Sequence, residues 1–440
     1  MDAAPSSPAA QVPARTVPTP EVRTRLVRLL DRDGRRSEDP VLSPYVRDVG
    51  ADQLRELYRS MALARRFDEE ATHLQRQGQL VLWAPMRGQE AAQVGSARAL
   101  RPVDHVFPTY REHAVAIERG VEPAELLTVF RGHSAGGWKP SEHHMNVYSI
   151  VLGCQVPHAV GYAMGIDLDR RAAEAEGREV EPAAAVVYFG DGTSTQGEVH
   201  EGMVFAASYD APVVFFVQNN QWAISVPFST QSRVPLAERA AGYGFEGIRV
   251  DGNDVLAVLA ASRYALEKAR TGQGPVLVEA ETYRLGAHTT ADDPTKYRLR
   301  EDESRWSELD PLIRLEAHLR DAHGTGDEFF ADVAADAQAF ADQARTLVLA
   351  MDPPVLEDFF DRPYAERHSL VEEERAWYAA YQAGFADTDS GDDDDTDDDT
   401  DDDDVAGPDR GTQASGLTVA ADPVTGAPDA RTAGTEEDLA

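Results

Sequence analysis

The chain has 440 residues, with 77 acidic and 42 basic side chains, and a formal net charge of −35 at pH 7. This acidic balance argues against nucleic-acid binding, because a phosphate backbone is repelled by a negatively charged surface. The single cysteine, Cys154, excludes an internal disulfide bond and fits a reducing compartment.

The sequence also lacks the marks of a membrane or exported protein. No apolar run approaches the roughly 20 residues needed to span a bilayer. Residues 1–20 are rich in Pro and Ala, without the basic and apolar regions of a signal peptide. We therefore expect a cytoplasmic protein without membrane contact, in which residues 1–45 form a mobile N-terminal segment. Only three of the basic residues are lysine, and an acid-rich, lysine-poor surface resembles that of halophilic proteins.

Residues 51–77 are predicted to form an amphipathic helix. Apolar side chains recur there largely at three- and four-residue steps, and Gly78 suits the C-terminal end. The stripe predicts a face buried in the core or against another subunit. Its members are Leu54, Leu57, Tyr58, Met61, Phe67, Ala71 and Leu74.

Two polar motifs follow this helix, Gly88-Gln89-Glu90 and Tyr110-Arg111-Glu112. A Tyr-Arg pair after a strand-to-helix turn can place a phenol and a guanidinium on a diphosphate, because the planar fork of arginine matches phosphate. A lone Tyr-Arg-Glu is otherwise typical of a surface salt bridge. These residues alone leave both interpretations open.

The Gly-rich segment 132–148 contains the adjacent histidines His143 and His144. Neighbouring side chains on an extended backbone point to opposite faces, so we do not expect the pair to share a metal ion. A structural role is the alternative for either ring. Residues 149–155 resemble a strand that contacts the cofactor in one known family, and Leu152 is either such a contact or plain core.

Two apolar strands in the middle of the chain end in polar clusters. Residues 185–189 lead into Gly190-Asp191-Gly192, and residues 213–217 lead into Asn219-Asn220. A helix predicted between them would make the strands parallel and place both clusters at one edge, where open α/β sheets bind ligands. Carboxylate and amide oxygens suit Mg²⁺, and glycine lets the backbone approach phosphate closely. Either cluster alone is typical of an ordinary turn or loop.

The remaining elements continue the α/β pattern. Residues 248–250 and 275–280 are predicted strands, with a helix between them that ends near Arg270. The loop 282–298 contains His288, and a histidine titrates close enough to neutrality to position or protonate a reacting group. Residues 303–350 are predicted to be helical.

The end of the chain changes character. Of the 18 residues from Asp387 to Asp404, 13 are aspartate. Such a segment cannot bury enough apolar surface to fold, so residues 387–440 are predicted to form a disordered, solvating tail. Binding of a basic partner by this tail is a less favoured alternative.

Taken in order, the motifs resemble those of one family. The 26 residues between Gly192 and Asn219 match the spacing of the Gly-Asp-Gly to Asn-Asn motif of thiamine diphosphate enzymes. With the Gly-Gln-Glu and Tyr-Arg-Glu motifs and the Tyr-Arg-x-x-x-His-Thr segment at 283–289, residues 45–384 resemble the E1 α subunits of 2-oxo-acid dehydrogenase complexes. The pattern is most similar to the pyruvate dehydrogenase type.

This resemblance implies a thiamine diphosphate-binding α/β fold over residues 46–386, with a mostly parallel sheet and helices on both faces. It implies that Mg²⁺ is bound by Asp191, Asn220 and the backbone carbonyl of Trp222, where a tyrosine or phenylalanine is more usual. The cofactor contacts that it implies are Tyr110, Arg111, Ile150, Leu152, Asp191, Gly192, Thr193, Asn220 and His288. The catalytic residues that it implies are His288 and His144.

The resemblance also implies partners and a reaction. The α subunit pairs with an E1 β subunit in an α₂β₂ heterotetramer, and β supplies the glutamate that activates the cofactor. The activity is the oxidative decarboxylation of a 2-oxo acid, with transfer of the acyl group to the lipoyl group of E2. Gln218 mildly favours pyruvate, since some branched-chain enzymes have arginine there. The alternatives are a branched-chain or acetoin dehydrogenase α subunit, or a non-catalytic nucleotide-binding module; the chain has no P-loop motif.

Overall fold

A computed structural model of the chain describes residues 22–133, 136–352, 357–361 and 364–386. These residues divide into two compact units, the first ending at Phe359 and the second beginning at Phe360. The predicted tail at 387–440 lies outside the described residues, as does the start of the predicted N-terminal segment.

The first unit is built on one six-stranded sheet and a separate two-stranded hairpin. The strands are β1 (Val22–Val27), β2 (His105–Phe107), β3 (Ala185–Gly190), β4 (Val213–Asn219), β5 (Trp222–Ala223), β6 (Val226–Pro227), β7 (Glu246–Asp251) and β8 (Val276–Glu281). The large sheet has the order β1-β7-β8-β4-β3-β2, and every neighbouring pair is parallel. Strands β5 and β6 pair antiparallel.

Helices connect these strands and continue into the second unit. They are α1 (Ala51–Arg76), α2 (Glu90–Ala97), α3 (His113–Glu118), α4 (Pro123–Arg131), α5 (Pro140–His143), α6 (Gln155–Ala175), α7 (Gly197–Tyr209), α8 (Phe228–Gln231), α9 (Arg239–Tyr243), α10 (Val255–Arg270), α11 (Arg300–Ser307), α12 (Pro311–His323), α13 (Asp327–Leu349), α14 (Glu357–Asp361) and α15 (Ser369–Ala386). Short 3₁₀ turns lie at Ser43–Val46, Thr193–Thr195, Leu236–Glu238 and Pro294–Lys296.

The sheet is covered by helices on both faces. Successive residues of a strand point to opposite sides, and β3 shows this directly. Val186 and Tyr188 belong to a core shared with α1, α2 and α10, whereas Val187 and Phe189 belong to a core shared with α6 and α7. The predicted α/β fold, with a parallel sheet between two helical layers, is therefore confirmed.

Strand register brings the two polar clusters to the same edge. In the β3–β4 pair, Gly190 lies opposite Gln218. The next residues, Asp191 on one strand and Asn219-Asn220 on the other, therefore leave the sheet side by side at its carboxyl edge. After β3 the chain forms the 3₁₀ turn at Thr193–Thr195 and then helix α7. The predicted change from strand to helix therefore occurs close to this edge.

The N-terminal boundary differs from the prediction that residues 1–45 are mobile. Strand β1 pairs with β7, and Leu29, Leu30 and Leu42 are fully buried. Asp254, the N-cap of α10, accepts hydrogen bonds from the backbone amides of Leu29 and Leu30, each at 2.6 Å. Residues 22–45 are therefore part of the first unit, because burial of their leucines and capping by Asp254 hold them against the sheet.

The segment 149–154 is also not the predicted strand. It forms a turn before α6, in which Gly153 has φ of +103° and the side chain of Gln155 accepts a hydrogen bond from its amide at 2.9 Å. Ile150 and Val151 are 63% and 74% exposed. Their apolar character is typical of a buried strand, but here it belongs to a surface loop beside the carboxyl edge.

The second unit consists of the end of α14 and the helix α15 in the described residues. Arg375 pairs with Asp361 and lies over the ring of Phe360, 5.8 Å from its centroid. Trp377 and Tyr381 stack at 5.7 Å on α15. In the described parts of both units, no helix combines the length and apolar character that crossing a bilayer requires.

Candidate functional site

A cavity of about 430 Å³ opens at the carboxyl edge of the sheet, between the polar clusters and the loop after β8. It brings together most of the residues that the sequence assigns to a cofactor. The predicted residues that line it are Tyr110, Arg111, Leu152, Asp191, Gly192, Thr193, Asn220, Trp222 and His288. They come from five separate segments of the chain, so the sheet edge gathers side chains that are distant in sequence.

Asp191 is a buried carboxylate with one oxygen to spare. Its Oδ2 accepts a hydrogen bond from Gln231 Nε2 at 2.9 Å, whereas its Oδ1 is buried without a hydrogen-bond partner in the described part of the chain. Burial raises the pKa of this carboxyl to about 6. A buried carboxylate oxygen without a partner is costly, so the cavity favours a cation at this position.

The next strand supplies two further oxygens. Asn220 Nδ2 donates to Gln89 Oε1 at 3.0 Å, which fixes the amide so that its Oδ1 faces the other way, towards the amide nitrogen of Trp222 at 3.2 Å. The carbonyl of Trp222 accepts a long hydrogen bond of 3.4 Å from Arg284. Gly192 must be glycine, since a Cβ there would lie 2.7 Å from that of Ala223.

This set of oxygens fits a magnesium ion. One carboxylate, one amide oxygen and one carbonyl are hard ligands, and Mg²⁺ takes few protein ligands and completes its octahedron with phosphate and water. Among the described residues no group of three or more His, Cys, Asp and Glu side chains could hold a metal ion. The site therefore does not resemble a zinc centre, and it needs further oxygens from a ligand.

Two buried arginines give the cavity a positive charge. Arg111 donates to the carbonyls of Pro85 and His288, the latter at 2.7 Å. Arg284 donates to the carbonyl of Ile224 at 2.6 Å and to the hydroxyl of Tyr297 at 2.9 Å. Because these partners are neutral, the two guanidinium charges are available to an anion, and a diphosphate fits between them and a metal ion on Asp191.

Arg284 is a site residue that the sequence interpretation did not assign. It lies inside the Tyr-Arg-x-x-x-His-Thr segment, three residues after β8 ends and four before His288. That position after a parallel strand is a usable signal, because polar residues at carboxyl ends of neighbouring strands meet. Its depth is visible only in the structure, where the residue is 1% exposed and burial lowers its pKa to about 10.

His288 lies between these arginines. Its Nδ1 is 3.3 Å from Arg111 Nη2 and 3.5 Å from Arg284 Nη1, and its Nε2 is 3.5 Å from the hydroxyl of Tyr110. Burial, followed by the two positive charges, lowers the pKa of the imidazole to about 4. Guanidinium groups can only donate, so Nδ1 is the acceptor and the proton of the neutral ring is on Nε2.

We expect the imidazole of His288 to titrate near pH 4 in the cofactor-free chain, below the ordinary value of 6.5. Because the folded pKa is the lower one, this group's contribution to stability is fully present above pH 6.5 and decreases as the pH falls towards 4. NMR titration of histidine-labelled protein measures this, with Arg284→Met as a variant whose His288 pKa should rise. A ring that titrates above pH 6 would contradict the arrangement.

A buried glutamate completes the floor of the cavity. Glu112 accepts hydrogen bonds from the amide and hydroxyl of Thr109, both at 2.6 Å, and from Gln218 Nε2 at 2.6 Å. Burial raises the pKa of this carboxyl. Glu112 therefore ties the turn that carries Tyr110 and Arg111 to strand β4. The sequence interpretation missed this contact, since Gln218 and Glu112 are 106 residues apart.

Two predicted residues do not line the cavity. Ile150 is 63% exposed in the loop before α6, and only its neighbour Leu152 reaches the cavity. His144 is exposed, with φ of +48°, and its carbonyl accepts a hydrogen bond from Val106 at 2.9 Å. Its neighbour His143 lies 3.3 Å from the carbonyl of Arg119. His144 therefore lies outside this cavity, because a left-handed turn after α5 directs this segment to β2, and its catalytic role stays a prediction.

The chain is also similar in sequence to known proteins. Residues 58–346 match the family described as "Dehydrogenase E1 component". The chain is similar to 3-methyl-2-oxobutanoate dehydrogenase subunit alpha of Mycobacterium tuberculosis, with 44% identity over 323 residues, covering 73% of this chain and 85% of that protein. It is also similar to pyruvate dehydrogenase E1 component subunit alpha of Bacillus subtilis, with 40% identity over 299 residues, covering 68% and 78%. The protein of that name from Staphylococcus aureus is 38% identical over 296 residues, covering 67% and 76%. The whole cavity lies inside the matched span.

Proposed function

Because this chain belongs to the dehydrogenase E1 component family, as the α subunit of a 2-oxo-acid dehydrogenase, we propose that its cavity binds thiamine diphosphate with Mg²⁺. With an E1 β subunit, the enzyme would decarboxylate a short 2-oxo acid oxidatively. The acyl group would be transferred to the lipoyl group of an E2 acyltransferase.

One observation carries this proposal: within the described residues, a carboxylate oxygen without a hydrogen-bond partner faces the same cavity as two arginines that have no carboxylate partner. A cation would stabilise the Oδ1 of Asp191, and an anion would stabilise the guanidinium groups of Arg111 and Arg284. A metal diphosphate would supply both the cation for Asp191 and the anion for the two arginines. An apolar ligand or a free metal ion would supply at most one of the two.

The residues that line the cavity would hold the metal ion and the diphosphate separately. Asp191, Asn220 and the Trp222 carbonyl would hold Mg²⁺, while Arg111 and Arg284 would hold the diphosphate oxygens. When bound, thiamine diphosphate supplies the electron sink for loss of CO₂ from the 2-oxo acid. Leu152, at the mouth of the cavity, offers an apolar contact for the remainder of the cofactor.

His288 is the proton-bearing group of the site. Its neutral ring carries the proton on Nε2, next to the hydroxyl of Tyr110, while Nδ1 is held by the arginines. A ring arranged in this way can donate a hydrogen bond from Nε2 to a reacting oxygen while it stays neutral. We assign to it the positioning of the substrate-derived acyl group through that hydrogen bond.

The identity of the 2-oxo acid is a separate proposal. Relatives named for 3-methyl-2-oxobutanoate and for pyruvate are 44% and 40% identical to this chain, so similarity supports both substrates. The sequence argument for pyruvate rests on Gln218, and that side chain is engaged with Glu112. We propose a short-chain 2-oxo acid, with these two compounds as the candidates.

Calorimetric titration tests the cofactor proposal. Thiamine diphosphate with Mg²⁺ is titrated, in concentrated salt, into this chain alone and into its complex with the β subunit. We expect tight binding in the complex and weak or no binding to α alone, because β would complete the site. Absence of binding in both samples would contradict the proposal and move the nucleotide-binding alternative forward.

Activity of the complex then separates the substrates. Pyruvate, 3-methyl-2-oxobutanoate and acetoin are compared as single substrates and in competition, with lipoylated E2 as the acceptor. A kcat/KM at least tenfold higher for one 2-oxo acid would assign the substrate. A preference for acetoin would overturn the 2-oxo-acid proposal while leaving the cofactor proposal intact.

We predict that His288→Ala lowers the rate of E2 acylation by about 100-fold, the lower range for loss of a preorganised hydrogen-bond donor to a reacting oxygen. Thiamine diphosphate should still bind, because Asp191 and the two arginines remain. His73→Ala, on the exposed face of α1, is the matched control and should leave the rate unchanged. Unchanged acylation by the His288 variant would remove this residue from the catalytic set.

A further inference from the structure

The loop after β4 folds back over the carboxyl edge of the sheet. Strands β5 and β6 form its hairpin, and the amide of Phe228 donates to the carbonyl of Gln221 at 2.9 Å. Gln221 and Ile224 have φ of +72° and +56°, a backbone region that residues other than glycine enter only under strain. The loop therefore has a fixed, strained shape, and it carries both Trp222 and Gln231 to the cavity.

Gln231 ends the short helix α8 and reaches Asp191 from this loop. Its Nε2 donates to Asp191 Oδ2 at 2.9 Å and to the carbonyl of Val226 at 3.3 Å. Both partners are acceptors, so the amide can face them only through its nitrogen. The orientation of Gln231 is thus determined by its surroundings, and so is the oxygen of Asp191 that it occupies.

The hydrogen bond from Gln231 limits the number of oxygens that Asp191 can offer to a metal ion. With Oδ2 engaged by Gln231, only Oδ1 is available to a cation. A carboxylate that offers one oxygen suits the small octahedral shell of Mg²⁺. A carboxylate that offers two suits Ca²⁺, which takes six to eight oxygens and accepts bidentate carboxylates.

We propose that Gln231 is a positioning residue that keeps Asp191 monodentate and thereby makes the site prefer Mg²⁺ to Ca²⁺. This inference rests on the proposed function, since the metal ion is the one that accompanies thiamine diphosphate. Gln231 acts through Asp191, from the side of the carboxylate away from Oδ1.

The test is a metal titration of the α–β complex at saturating thiamine diphosphate, with Mg²⁺ and Ca²⁺ measured separately by calorimetry. Gln231→Met keeps the side-chain length and removes the donor. We expect its Kd for Mg²⁺ to rise about tenfold, the lower range for loss of a residue that orients a metal ligand. The Kd for Ca²⁺ should change little or fall, so the preference for Mg²⁺ should drop by about tenfold.

Two further variants keep the result interpretable. Gln231→Asn retains the amide but is one methylene shorter, so it should show the same loss of Mg²⁺ preference. Thr230→Val, at the exposed neighbouring position of α8, should bind both ions like the wild type. Thermal unfolding of the three variants without metal shows whether each is folded.

The outcomes are distinct. An equal loss of affinity for both ions in Gln231→Met would mean that the residue only supports the loop, and would overturn the inference. Unchanged affinity for both would overturn it as well. Failure of the wild-type complex to bind thiamine diphosphate with either ion would overturn the proposed function itself, and this inference with it.

Discussion

Replacing Asp191 by alanine is expected to weaken Mg²⁺-dependent binding of thiamine diphosphate by more than about 100-fold. Loss of a residue that merely orients a metal ligand costs about 10–100-fold, and Asp191 is the only carboxylate among the three proposed ligands. Its free Oδ1 is the feature of the cavity that most directly requires a cation. Calorimetry of the α–β complex with the cofactor and Mg²⁺ measures the effect.

The same substitution should leave the fold intact. Burial raises the pKa of Asp191 to about 6, so the charged carboxylate is disfavoured where it lies, and removing it relieves that cost. We therefore expect the melting temperature of the metal-free variant to be at least that of the wild type. Asp321→Asn, an exposed aspartate on α12, is the control for nonspecific loss of charge. Retained cofactor affinity in Asp191→Ala would remove Asp191 from the metal site.

A second large effect is expected at Asp254, on stability rather than binding. Its Oδ2 accepts from the amides of Leu29 and Leu30 at 2.6 Å, and its Oδ1 accepts from those of Leu256 and Ala257 at 3.1 Å. Asp254→Ala leaves these four donors buried without their acceptor. At about 1–3 kcal/mol for a buried group left unsatisfied, with partial relaxation, we expect a loss of about 3–5 kcal/mol.

Urea unfolding of the variant and the wild type measures this loss. Asp254→Asn keeps one acceptor oxygen and should lose roughly half as much free energy of unfolding as the alanine variant. Asp52→Ala, at an exposed position in the first turn of α1, should change stability by less than about 0.5 kcal/mol. A loss below about 1 kcal/mol for Asp254→Ala would show that water or a backbone shift replaces the carboxylate.

The local chemistry of the polar clusters was predictable because each cluster ends a strongly apolar strand. Residues 185–189 and 213–219 are all buried, so their strand character is evident in the sequence. Once both strands are parallel, Asp191 and Asn220 must share an edge. Helices α1 and α10 were predictable for a similar reason, since one has a clear apolar stripe and 11 of the 16 residues of the other are buried.

Contacts made across long separations were not predictable from local pattern. Gln231 meets Asp191 only because two residues with positive φ turn the chain back over Gly192. Glu112 meets Gln218 only because β2 and β4 flank β3. Polar residues in loops carry no periodicity, so their partners depend on the assembled fold.

Residue composition was a poor guide to secondary structure at two places. Residues 149–152 have the composition of a strand, but Gly153 and Gln155 turn the chain into α6 and leave Ile150 in solvent. Strand β1 contains two arginines in six residues, a composition that does not indicate a buried strand. It is an edge strand with one neighbour, so only part of its surface needs to be apolar.

The edge position of β1 also constrains how the chain is made. Val22 pairs with Gly247, so β1 has no partner strand until the more than 200 residues between them have been synthesised. Until then, the buried leucines at 29, 30 and 42 have no sheet to cover them. Such a late long-range closure is slow, and it exposes the nascent chain to aggregation. We therefore expect the nascent chain to need chaperone protection until β7 has been synthesised.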